Sequence, residues 1–234
     1  MGSNLECSGP VRAAGLRAFV TLALGLIVAA SIHSWGRSWG APPEHGVDGI
    51  FFSKSFPGSK PEYFEVSVDA TGKASYREDQ TEEQPLEFTL AKDETRAVFD
   101  LAERLGRFER SLQSDLKIAF TGAKTLRYTN SAGDVQETRF SYSTDKDAQA
   151  IVGWFEKAGE TERHRLELER VVRFDPLGVN KTLLLFQASF DDGRVVAAAQ
   201  FLPILKTIAE QPKFMHMARA RAASLVERIE APRP

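Results

Sequence analysis

Residues 63–78 read YFEVSVDATGKASYRE. Tyr63, Phe64, Val66 and Val68 are strand formers, Asp69-Ala-Thr-Gly72 has turn composition, and residues 73–78 return as a second strand, which is the pattern of a hairpin with a glycine-bearing turn. Upstream, residues 47–56 are rich in Phe and Ile and end at Pro57-Gly58, a strand with a stop. Downstream, the polar loop EDQTEEQP leads to a short strand over 86–90. Asp93 is the expected N-cap of a helix in which Val98, Leu101, Ala102 and Leu105 recur at helical spacing, ending at Gly106. Residues 124–129 and 134–142, separated by Asn130-Ser-Ala-Gly133, form a second hairpin. The fold class is therefore α+β: residues 47–143 form a small, mostly antiparallel sheet with a packed helix.

From Thr144 the period changes from two to 3.6, and this shift is the internal boundary. Thr144 is expected to cap a helix that runs through Ile151, Phe155 and Ala158 and on through ETERHRLELER to Phe174. Asp175-Pro176 has the form of an N-cap and first helical residue for the next helix, which Asp191-Asp192-Gly193 closes. Residues 195–209 are apolar nearly all round, interrupted by Pro203, and read as a central buried helix with Phe201, Leu205 and Ile208 in the core. Pro212 opens the last helix, with Phe214, Ala218, Leu225 and Ile229 along one side. Residues 144–234 are thus an α-helical C-terminal part packed on the sheet unit.

The address is written in residues 1–40. AFVTLALGLIVAASI, residues 18–32, holds no charge; Arg12 and Arg17 precede it, and Trp35, Arg37 and Trp39 follow. This is a single N-terminal transmembrane or signal helix. Val28 and Ala30 supply small residues for cleavage, while extension through Gly36 gives a membrane-spanning length, so residues 18–36 read equally as a retained anchor or a cut signal. With two arginines before the segment and one after, the body lies outside the cytoplasm. GRSWGAPPEHG follows as a Gly/Pro linker. Cys7 precedes the apolar run, so it is not a lipoprotein cysteine, and the body holds no thiol. Outside residues 1–40 the chain carries 27 basic and 31 acidic side chains, which argues against a nucleic-acid partner.

One resemblance is carried by SFPGSKPEYFEVSVDATGKASYRE, residues 55–78. Gly58, Pro61, Tyr63, Gly72 and Tyr76 match the opening of an uncharacterised bacterial exported domain family whose hallmark is a Gly-x-Cys-Pro-x-Tyr turn. By order of elements the likeness extends over residues 50–157. Ser59 and Lys60 occupy the region of the family cysteine, so the resemblance implies a fold and no cysteine chemistry.

Candidate chemistry is sparse. Ser114-Asp-Leu-Lys117 satisfies S-x-x-K and Tyr128-Thr-Asn130 satisfies Y-x-N, strings similar to those of penicillin-binding proteins and serine β-lactamases. They stand only fourteen residues apart, the nearest approach to a K-T-G strand is Lys124-Thr125-Leu126 between them, and loop-and-strand is the simpler reading. Glu156, Glu160 and His164 share a helical face that reads as a metal site lacking further ligands or as a salt-bridged stripe interleaved with Arg163, Arg165 and Arg170. Met215 and Met217 flank His216 and read as core residues. Thr121-Gly122-Ala123-Lys124-Thr125 reads as a turn entering a strand, and Asn180-Lys-Thr182 is a glycosylation sequon. No residue reaches the specificity of a catalytic, cofactor or metal signature. The sequence therefore reads as an exported, membrane-tethered or released, non-catalytic envelope binding module. The rival is an exported hydrolase whose site gathers sequence-distant residues such as Asp115, Lys117, His164 or His216.

Overall fold

The computed structural model describes residues 46–231, so the expected N-terminal transmembrane or signal helix lies outside the described residues. Alternation of apolar and polar side chains produces six strands: β1 (Gly49–Ser55), β2 (Tyr63–Asp69), β3 (Lys73–Arg77), β4 (Leu86–Thr89), β5 (Ala123–Thr129) and β6 (Val135–Phe140). They pair in the order β4-β3-β2-β1-β5-β6, antiparallel throughout. The central strand β1 sets Phe52 opposite Val66 on one side and Leu126 on the other. One face of the sheet carries Ile50, Phe52, Val66, Val68, Tyr76, Leu126 and Tyr128, all buried. The opposite face is polar, with Arg77 paired to Glu65 at 2.9 Å and Arg127 to Glu137 at 2.7 Å.

The 69–72 turn forms as read. The Asp69 carboxylate accepts from the backbone N–H of Thr71 at 2.8 Å and of Lys73 at 3.0 Å, and Gly72 takes φ +91°. Glycine is required there for space too, because a Cβ would stand 2.9 Å from the Thr95 hydroxyl. The first helix, α1 (Lys92–Arg104), starts earlier than expected. Its N-cap is Ala91, whose N–H donates to the Glu94 carboxylate at 3.1 Å, so Asp93 sits in the first turn and does not cap.

The long helix α2 (Lys146–Phe174) is capped by Asp145, whose carboxylate accepts from the N–H groups of Asp147 and Ala148, and not by Thr144. Its first half lies on the sheet: Phe155 stacks on Phe52 at 5.0 Å and meets Trp154 edge-on, and Ile151 and Ala158 are fully buried beside it. Its second half supplies Leu168 and Val171 to a separate apolar cluster with α3 (Val179–Asp191), α4 (Leu202–Glu210) and α5 (His216–Glu230). There Phe186 stacks on Phe201 at 4.2 Å, and Leu205 and Ile208 are buried as the sequence implies. Between the clusters, α2 buries Glu162 completely. Gln200 donates to it at 2.7 Å, and Arg165 donates to Gln200 and to the Glu87 carbonyl of β4. Burial pushes the Glu162 carboxyl up to about 7, against the pull of Gln200 and Arg165.

Three further helix starts differ from the sequence reading. Asp175-Pro176 forms a turn in which the Asp175 carbonyl and carboxylate both accept from Gly178 N–H, and α3 begins only at Val179. Residues 195–197 are not helical: Val196 N–H donates to the Thr161 hydroxyl and Ala197 N–H to Glu94, and Ala197 takes φ 48°. α4 starts at Leu202 with Pro203 in its first turn, where a missing N–H costs nothing. Pro212 lies in a turn, and α5 begins at His216. Among the described residues, no helix is long and apolar enough to cross a membrane.

Candidate functional site

Strand parity builds the site. Ile50, Phe52 and Lys54 share the inward face of β1, so Lys54 reaches the end of the sheet where α2 passes, and its ammonium meets Glu156 at 2.6 Å. The chain then turns through residues 56–62. Phe56 N–H donates to the Glu62 carbonyl at 2.8 Å, the Glu62 carboxylate accepts from Gly58 N–H at 3.2 Å, and the Lys60–Pro61 peptide is cis. Arg163 of α2 donates to the Lys60 carbonyl at 3.1 Å, fastening the turn to the helix. A cleft of about 230 Å³ remains between them, lined by Lys54, Lys60, Glu156, Glu160, Arg163 and Arg194 among others. The turn with Ser59, Lys60 and Pro61 and the α2 stripe of Glu156 and Glu160, about a hundred residues apart in sequence, are the two walls of one cleft.

The helix approaches closely because residue 159 has no side chain. A Cβ on Gly159 would stand 2.9 Å from the Phe64 ring. Gly159→Ala is therefore expected to push Phe64 aside and destabilise the fold by about 1–3 kcal/mol, despite the better helix propensity of Ala. A denaturant midpoint equal to or above that of the natural chain would show that α2 does not rest on Phe64 of β2 at this point.

The carboxylates of the α2 stripe are engaged by cations. Glu160 pairs with Arg194 and accepts from the Ser189 hydroxyl at 3.3 Å. His164 bonds Ser189 at 2.9 Å, and its half-buried ring has a pKa lowered chiefly by desolvation, with Glu160 opposing. The stripe is a salt-bridged one with partners from outside the helix, and among the described residues no group of three or more His, Cys, Asp or Glu could hold a metal. Lys60 is exposed at the mouth and forms no ion pair among the described residues, so one cation of the cleft is free for an anionic group. Beside the mouth, the Phe56 ring meets Phe120 edge-on at 6.0 Å, and Leu116, Ile118 and Phe120 of the 113–121 loop are exposed. A charged cleft with an apolar rim is suited to gripping a ligand.

No protein-family model, curated protein or solved structure matches the chain. What the site does must be read from its own residues.

None of the other candidates lines the cleft. The Ser114 hydroxyl accepts from Leu116 N–H at 3.2 Å, and Asp115 and Lys117 are exposed on the same loop. Tyr128 is buried and donates to Asp48 at 2.6 Å, while Asn130 holds the β5–β6 turn by accepting from Ala132 and Asp134. Lys124 is buried, donating to the carbonyls of Ser141 at 2.7 Å and Thr121 at 3.0 Å; desolvation and then Lys54 lower its pKa. It anchors a strand end. His216 opens α5 in solvent. Met215 and Met217 are exposed and not core, because Phe214 fills the buried position. The sequence reading missed Lys54 and Arg194 as site residues. Parity with Ile50 and Phe52 signals Lys54, whereas nothing local signals Arg194.

Proposed function

We propose that the chain is an exported, membrane-tethered or released envelope module that binds a protein or cell-surface ligand and performs no catalysis. The binding site is the cleft between the 56–62 turn and α2. The observation that carries this reading is the juxtaposition of an exposed aromatic pair, Phe56 with Phe120, and the uncommitted ammonium of Lys60 at one mouth. Exposed aromatics beside a charge are the usual anchors of an interface. The rival, an exported hydrolase, draws no support from the arrangement: Asp115 and Lys117 stand on the exposed loop, His164 is turned to Ser189, and His216 begins α5.

The test is capture of a partner from envelope extract by the purified protein. Phe56→Ala and Phe120→Ala are each expected to weaken capture at least about tenfold. Ser114→Ala, Lys117→Ala, His164→Ala and His216→Ala should leave it intact. Turnover of an envelope substrate that any of those last four changes abolishes, with folding preserved, would replace the binding reading by the hydrolase.

A further inference from the structure

The helical cluster leaves a second surface, remote in sequence from the cleft. Phe174 and Leu177 stand at the α2–α3 turn, Leu184 and Leu185 on the outer side of α3, and Met215 and Met217 at the start of α5; each is between 44% and 76% exposed. These are half of the exposed large apolar side chains among the described residues, and they belong to one region. Arg221 reaches Gln187 and Arg228 reaches Asp191, so α3 and α5 run parallel, with the first turn of α5 beside the first half of α3. Leu184 and Leu185 lie on the side of α3 away from its buried Val179, Thr182, Leu183 and Phe186, and Leu177 stands in the turn just before the helix.

The charges around this surface are unevenly committed. Arg173, Lys181, Lys213 and Arg219 form no ion pair among the described residues, whereas Arg170 is paired with Glu167. The nearby carboxylates are Asp175, which is bonded to Gly178 N–H, and Glu210 at the end of α4. The surface thus combines protruding apolar side chains with an excess of cations.

We propose that this face docks on an anionic lipid bilayer. The exposed apolar side chains enter the boundary between headgroups and acyl chains, and the surrounding cations meet the lipid phosphates. A second copy of the chain fits less well, because a two-fold contact would bring Arg173, Lys181 and Lys213 against the same cations of its mate. The inference is independent of the cleft and of what the cleft binds.

The full chain carries its own apolar segment over residues 18–32, so bulk vesicle binding does not report on this face, and a local probe does. With Cys7→Ser, a nitroxide label at Leu185→Cys is placed on the full chain reconstituted in vesicles. In phosphatidylglycerol–phosphatidylcholine vesicles the label is expected to be relaxed by oxygen and shielded from a water-soluble nickel chelate. In pure phosphatidylcholine, or when Arg173, Lys181 and Lys213 are each changed to Gln, it should return to the chelate, the docked-to-free ratio falling about fivefold per cation removed. A label at Thr71→Cys, on the sheet unit, should stay open to the chelate throughout. Leu177→Cys repeats the measurement from the turn, should Leu185→Cys disturb α3. Chelate access at both positions in the anionic vesicles would overturn the proposal. So would shielding from both reagents in either lipid, which marks a protein partner or a second copy.

Discussion

Phe155→Ala is expected to cost about 3–5 kcal/mol of folding stability, the range for a fully buried aromatic whose cavity cannot collapse. The ring lies under the middle of the sheet, stacked on Phe52 of the central strand and edge-on to Trp154, and none of it is exposed. Set against the roughly 5–15 kcal/mol available to a domain, such a loss shifts the urea midpoint far down. Val152→Ala, on the same helix but partly exposed, should cost clearly less. Equal midpoints for the Phe155→Ala protein and the natural chain would mean that α2 does not rest on the sheet.

The second large effect is a dependence on pH. In the folded chain the Glu162 carboxyl binds its proton up to about pH 7, against an ordinary value of 4.5 in the unfolded chain. Between those values Glu162 holds more proton in the folded state, so its contribution to stability is fullest below pH 4.5 and declines as pH rises through 7, by about 3 kcal/mol in all. Carboxylates with lowered values, such as Asp48 and Asp145, act in the opposite sense but only below the ordinary carboxylate range. His164, lowered from 6.5 by desolvation, also acts in the opposite sense at about pH 6, and because it is common to both proteins the difference between the slopes of Glu162→Gln and the natural chain isolates Glu162. Glu162→Gln, which keeps the volume and the contact with Gln200, should flatten the slope and leave the protein more stable than the natural chain at pH 8. Parallel slopes for the two proteins would show that the carboxyl is ionised in the fold.

Much of the fold was legible because strand parity and turn chemistry are local. Tyr63 to Arg77 announces a hairpin through alternation and the Asp69 carboxylate, and the structure forms it with that turn. The same parity that buries Leu126 and Tyr128 puts Lys124 inside, and helical spacing from Ile151, Phe155 and Ala158 lands on Glu162, so these two buried charges were readable though neither was read. Residues 195–197 misled for a physical reason. Val196 and Ala197 are apolar because they pack into the sheet cluster, and their N–H groups are satisfied by Thr161 and Glu94 of other elements, a substitution that leaves no trace in periodicity. The start of α3 misled because Asp and Pro serve a tight turn as well as a helix cap.

The cleft was legible only in halves. The turn around Gly58 and Pro61 and the charged stripe on α2 each stood out, but the ion pair between Lys54 and Glu156 spans 102 residues and has no local signature. Exposure of Phe56 and Phe120 is likewise a tertiary outcome, since nothing in residues 113–121 distinguishes a rim from a core segment.

The placement of β1 has a consequence for the order in which the chain is made. Its first edge is taken by β2 within a few residues, but its second partner, β5, is complete only at Thr129, 74 residues after Ser55. At about 5–20 residues per second, a growing chain leaves that edge of β1, with Ile50, Phe51 and Phe52 along it, unpaired for roughly 4–15 s. The half-made sheet is a sticky template during that interval. Whatever accompanies the nascent polypeptide must shield this strand first.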